Sequence, residues 1–123
     1  MVVAAHIAYR LTTTTVGSRS VSLTTHSALE TYSVLTRLPG DARLRPDDAA
    51  HLIGERFPTI VPLAAAESLA LIPRLARLGI AGGAVYDALI AVTALSADAT
   101  LITRDRRAEA TYRKLGVAVE FVG

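Results

Sequence analysis

The chemistry available to this chain lies in carboxylates, hydroxyls and basic groups, because it contains no cysteine. That excludes a disulfide scaffold, a thiolate metal site and a cysteine nucleophile. Asp87 is the acid most out of place. It sits in the stretch 84–97, which is apolar nearly all round a helical wheel apart from Tyr86, Thr93 and Ser96. A helix of that kind is buried, and a buried carboxylate is costly unless it is paired, hydrogen-bonded or bound to a metal. Its first-turn position offers a second account, since a helix N-terminus favours negative charge. Asp105 follows the apolar run Leu101-Ile102-Thr103 and precedes a helical pattern from Arg106 to Leu115. That is where a parallel α/β sheet places a ligand-facing acid, and equally where a helix wants an N-cap. One residue can do both. Glu30 shares a narrow polar strip with Ser33 and Arg37, on a helix otherwise covered by Ala28, Leu29, Tyr32, Val34, Leu35 and Leu38. A solvated strip accounts for it when it is taken alone.

The other acids have ordinary places. Asp41, Asp47 and Asp48 fall in a turn and a helix start, Asp98 in the turn before a strand, and Glu55, Glu67 and Glu109 on helix surfaces. His26 stands four residues before Glu30, as His51 does before Glu55, and such pairs can face one way on a helix. One histidine per helix is a weak zinc signal, so both pairs read as structural. There is no G-x-S-x-G elbow, no phosphate-cradling glycine loop and no G-x-G-x-x-G.

Short alternating elements must hold these residues. Residues 10–20, with the cluster Thr12 to Thr15, read as loop or irregular structure. Val21 to Thr25 reads as a strand, Ser27 to Leu38 as a helix stopped by Pro39-Gly40, and Pro46 to Arg56 as a helix with acids in its first turn. A short strand at Thr59 to Pro62 precedes a helix from Ala65 to Leu78, bent at Pro73 and capped by Gly79. After the buried helix 84–97 come a strand at Thr100 to Thr103, a helix from Arg106 to Leu115 closed by Gly116, and a strand at Val117 to Val122. Strand–helix alternation with short connections predicts an α/β fold, a parallel sheet with helices on both faces. Ligand sites in such sheets lie beyond the carboxyl ends of the strands.

Length and composition agree. The 123 residues predict a single domain, 1–123, with a radius of gyration of about 14 Å. Folding buries roughly two-thirds of the unfolded surface of such a chain. A composition 51% hydrophobic and 20% charged excludes a disordered chain. No stretch approaches the ~20 apolar residues of a membrane span, and the apolar start is a poor signal peptide. A soluble, cytoplasmic protein is expected. The net charge of +2 permits a nucleic-acid partner without demanding one.

The segments HSALETYSVLTRLP (26–39), GGAVYDALIAVTA (82–94) and ATLITRDRRAEATYRKLGV (99–117) together resemble the PIN-domain endoribonucleases, specifically the VapC-type toxins of prokaryotic toxin–antitoxin pairs. The resemblance covers about residues 21–123, and its most specific part is YDALIA with TRDRR after it, Asp105 following Asp87 by 18 residues. It implies a PIN-like parallel sheet carrying carboxylates that bind Mg²⁺ or Mn²⁺ and cut RNA. Glu30, Asp87 and Asp105 match the family's acids, and Thr103 matches a hydroxyl position bordering the site. The chemistry is consistent, because hard divalent cations take oxygen ligands and Mg²⁺ keeps several waters. The resemblance also implies a VapB-type antitoxin as partner, with assembly as a homodimer or a toxin–antitoxin hetero-oligomer. The apolar faces around Leu29 to Leu38 and Leu52 to Phe57 could supply an interface or simply core.

That family opens with a strand ending in Asp, followed by a small-residue helix resembling VVVAA. Here Met1 to His6 reads as part of that helix, so the N-terminal strand and its Asp are expected to be missing. No acid precedes Glu30. An N-terminally truncated or catalytically lapsed module that binds antitoxin or RNA without cleaving is therefore the competing reading. A phosphoacceptor receiver domain would need an acidic pair after the first strand and a lysine after the last, and has neither. Among the basic residues of the last quarter, Arg104 and Arg106 flank Asp105 and are expected to hold RNA phosphate. Tyr86 and Tyr112 could stack on bases, although packing is the more ordinary role for a lone tyrosine on a helix.

Overall fold

The computed structural model describes residues 1–5, 15–16 and 19–122. Its strands are β1 (Val2–Ala4), β2 (Thr15–Val16), β3 (Arg19–Thr24), β4 (Ile60–Val61), β5 (Thr100–Thr103) and β6 (Val119–Phe121). Its helices are α1 (Thr25–Leu35), α2 (Pro46–Arg56), α3 (Ala65–Leu78), α4 (Ala84–Ser96) and α5 (Glu109–Leu115), with 3-10 turns at Gly40–Ala42 and Arg106–Ala108.

Five strands run parallel in the order β4-β3-β1-β5-β6, and β2 adds antiparallel to the start of β3. β1 lies at the centre, with Val2 opposite Val21 of β3 on one side and Thr100 of β5 on the other. The expectation of a missing N-terminal strand, with Met1 to Ala5 inside a helix, is thereby corrected. The physical reason is that Val2 and Val3 are both buried, one on each face of the sheet. A strand covered on both faces reads as a continuous apolar run, which periodicity alone cannot tell from a buried helix.

Side-chain alternation sorts the core into two layers. Val3, Ala5 and Leu101 pack with Leu75 of α3, Ile90 and Ala91 of α4, and Tyr112 and Leu115 of α5. Val2, Ala4, Val21, Leu23 and Ile102 pack with Leu35 of α1, Ala49 and Ile53 of α2, and Phe57. Helices thus cover both faces, as the alternation predicted. α4 is buried along Ala88 and Ile90 to Ala94, as its apolar wheel requires.

Boundaries moved where a side chain took a cap. α1 begins at Thr25 rather than Ser27, because the Thr24 hydroxyl accepts the Ser27 N–H at 3.0 Å. The helix expected from Arg106 opens instead as a 3-10 turn and becomes α-helical only at Glu109. Gly79 and Gly116 end α3 and α5 with φ of 69° and 74°, left-handed values that glycine adopts without strain. Within 10–20, Thr15–Val16 pair with Arg19–Ser20 as strands, contrary to the loop expected there. The other residues of that stretch lie outside the described residues.

Candidate active site

Parallel strands deliver their carboxyl ends to one edge, and the hydroxyls there set the local geometry. The Thr24 hydroxyl donates to Ser27 Oγ at 3.0 Å, and Ser27 Oγ donates to the Ala5 carbonyl at 2.9 Å. The start of α1 is thereby tied to the end of β1. At the end of β5, the buried Thr103 Oγ1 accepts the Asp105 N–H at 3.0 Å. The chain turns there, and the Asp105 carboxylate accepts the Arg107 N–H at 2.9 Å, capping the 3-10 turn. The Arg107 guanidinium also donates Nε–H to Asp105 Oδ1 at 3.0 Å. Asp105 is therefore a cap, as one reading of the sequence had it, and its carboxylate remains partly exposed at the strand's end.

Asp87 lies half-buried in the first turn of α4, where no side chain caps the helix. Glu30 lies half-buried on α1, and His26 Nε2 faces its Oε1. The His26 ring stacks on Tyr86 of α4, with centroids 5.4 Å apart and planes 11° from parallel. This stack bridges the helices that carry Glu30 and Asp87.

Tyr112 packs in the same core layer as residues of α4 and β5. The residue is 1% exposed, and its hydroxyl makes no hydrogen bond of ordinary geometry. Its pKa is pushed upward, first by burial and then by the Asp87 carboxylate, with smaller pushes from Asp105 and Glu30 and an opposing pull from the Thr103 side chain. Acids from α1, from α4 and from the end of β5 thus act on a single buried oxygen. They do not close into a ready-made cage. Among the described residues, no group of three or more His, Asp or Glu side chains is close enough to hold a metal ion together. Carboxylates beside a hydroxyl are hard oxygen donors all the same. They suit a divalent cation that keeps most of its water and takes one or two carboxylates directly.

The expected phosphate contacts have distinct places. Arg104 is exposed beside Asp105, whereas the Arg106 guanidinium lies 4.4 Å over the Phe121 ring. Tyr112 is core and is not available to stack on bases, while Tyr86 is exposed. A shallow groove of about 150 Å³ lies beside His26, walled by Thr25, Leu29, Leu63, Leu89 and Thr93, and none of the three acids lines it. Sequence reasoning missed the Tyr112 hydroxyl. The only signal for it was that Tyr112 shares the inward face of the turn-and-helix segment 106–115 with Ala108 and Leu115.

Comparison with known proteins agrees with this geometry. A family model described as PIN domain matches residues 5–114. Ribonuclease VapC27 of Mycobacterium tuberculosis (strain ATCC 25618 / H37Rv) is 46% identical over 119 residues, covering 97% of this chain and 87% of that protein. Ribonuclease VapC40 of Mycobacterium tuberculosis (strain CDC 1551 / Oshkosh) is 45% identical over 106 residues, covering 85% of this chain and 79% of that protein. No solved structure matches significantly.

Proposed function

This chain belongs to the PIN-domain family, among its VapC-type ribonucleases, and we propose that it is a divalent-metal endoribonuclease, the toxin of a toxin–antitoxin pair. The observation that carries the reading is the position of Asp105 at the carboxyl end of β5, with Asp87 and Glu30 on the helices α4 and α1 that the His26–Tyr86 stack joins. Carboxylates at this edge of the sheet are hard oxygen donors of the kind a divalent cation takes. Asp87 and Asp105 would hold Mg²⁺ or Mn²⁺, with Glu30 engaging it directly or through water. Such a cation polarises the scissile phosphate and lowers the pKa of an attacking water. Thr103 keeps the Asp105 turn in place through its 3.0 Å hydrogen bond. Exposed Arg104 draws the RNA backbone toward the acids, and Arg106 contributes charge from its seat over Phe121.

A VapB-type antitoxin as partner, and assembly as a homodimer or a toxin–antitoxin hetero-oligomer, rest on the family. The faces first considered for an interface are largely core, since Leu35, Ile53 and Phe57 are buried. The large apolar residues left most exposed are Leu69 and Ile72 of α3, at 84% and 78%. No helix among the described residues is long and apolar enough to cross a membrane.

One observation favours a second reading, a lapsed module that binds without cleaving. β1 leads into Ala5 rather than an acid at the carboxyl end of the central strand. The test is incubation of the purified chain with total RNA and Mg²⁺ or Mn²⁺, beside Asp87→Asn and an EDTA control. Discrete cleavage that EDTA abolishes, and that Asp87→Asn lowers by about 100-fold or more, is expected. RNA left intact by a folded wild type would overturn the nuclease reading in favour of the lapsed module.

A further inference from the structure

Tyr112 lies in the core layer beneath α4, and its ring is ordinary packing there. Its hydroxyl is not ordinary, being buried without a hydrogen bond of normal geometry. A hydroxyl in that state is a penalty that phenylalanine, of the same shape, would avoid. Tyr112 lies in one core layer with Ala88, Ile90 and Ala91 of α4, the helix that carries Asp87, and the Asp87 charge acts on its hydroxyl more strongly than those of Asp105 and Glu30. Ionised carboxylates only accept hydrogen bonds, whereas a phenol can donate one. The core locks the ring, so the position of the hydroxyl is fixed by packing. Asp105 and Tyr112 also belong to one continuous turn-and-helix unit, which fixes donor and acid relative to each other.

We propose that Tyr112 is a positioning residue of the acidic cluster, its hydroxyl donating to the Asp87 carboxylate when a divalent cation draws the acids together. The inference rests on the nuclease reading above and adds a residue to its site. Carboxylates that hold a metal are themselves oriented by neighbouring donors, and loss of such a donor typically weakens metal binding by about 10–100-fold.

The experiment compares wild type, Tyr112→Phe and Leu115→Val, the last a packing change in the same core layer. Calorimetric titration with Mn²⁺ gives affinity, metal-free Tm gives stability, and RNA cleavage is followed against Mn²⁺ concentration. Tyr112→Phe is expected to keep or raise the metal-free Tm and to weaken Mn²⁺ binding by about tenfold or more. The Mn²⁺ needed for half-maximal cleavage rises in step, and excess Mn²⁺ rescues the rate. Leu115→Val lowers Tm and leaves Mn²⁺ affinity unchanged. Mn²⁺ affinity in Tyr112→Phe equal to wild type, or reduced no more than in Leu115→Val, overturns the proposal and leaves the nuclease reading standing. A wild type that binds no Mn²⁺ overturns both.

Discussion

Replacing Thr103 by valine separates positioning from stability. The side chain is 3% exposed, and its Oγ1 accepts the Asp105 N–H at 3.0 Å. Valine keeps the shape and removes the acceptor. Because Asp105 is only partly buried, its N–H can turn to water, and the lost bond costs about 0.5–1.5 kcal/mol. The added methyl in a buried site returns about 0.8 kcal/mol. The net loss is about 1 kcal/mol at most, which lowers Tm by about 4 °C or less. The effect on the site is larger. Asp105 keeps its bonds from Arg107 but loses the contact that pins its own backbone to the end of β5. Metal-dependent RNA cleavage is therefore expected to fall about tenfold or more, while Thr103→Ser stays near wild type. The assay pairs thermal melts with cleavage rates at fixed Mn²⁺, below saturation. Wild-type cleavage by Thr103→Val would refute the reasoning. So would a loss of cleavage explained by a large drop in Tm.

Other consequences follow from the same geometry. Arg107 is highly exposed, so Arg107→Ala should change stability by less than about 1 kcal/mol. It also releases the Asp105 carboxylate, so Mn²⁺ affinity should hold or rise several-fold, and a fall by calorimetry would contradict the assignment of Asp105 as a ligand. Tyr112 has a folded-state pKa raised above its ordinary value of 10.0, so its neutral form is favoured in the fold. The stability this gives is fully present below about pH 10 and is lost as pH climbs above it, as the unfolded phenol ionises first. Melts taken across that range should show a steeper decline for wild type than for Tyr112→Phe. Phe57 is 1% exposed in the layer under α1 and α2, so Phe57→Ala should cost about 3–5 kcal/mol in urea unfolding.

Elements with local stop and start signals were legible in the residues. α2 runs from Pro46 to Arg56, α3 from Ala65 to Leu78 and β5 from Thr100 to Thr103, as proline, glycine and periodicity marked them. α4 was legible as buried because its apolar residues leave no polar face. β1 was not, because a short apolar run carries no period, and its identity lies in pairing with Val21 and Thr100, far along the chain. The acids divide in the same way. Asp105 as a cap and Asp87 in a first helical turn could be read from neighbours within a few positions. Each had a sufficient local explanation, so none announced a site by itself.

What brings their elements together is tertiary packing: α4 and β5 share a core layer with Tyr112, and the His26–Tyr86 stack ties α1 to α4. A helical wheel records Tyr112 as core and says nothing of where its hydroxyl points. Capping, breaking and amphipathic signals act over a few residues, so a linear reading recovers them. Strand order and the placing of α1 against α4 depend on residues tens of positions apart. They emerge only when burial of both sheet faces forces those residues together.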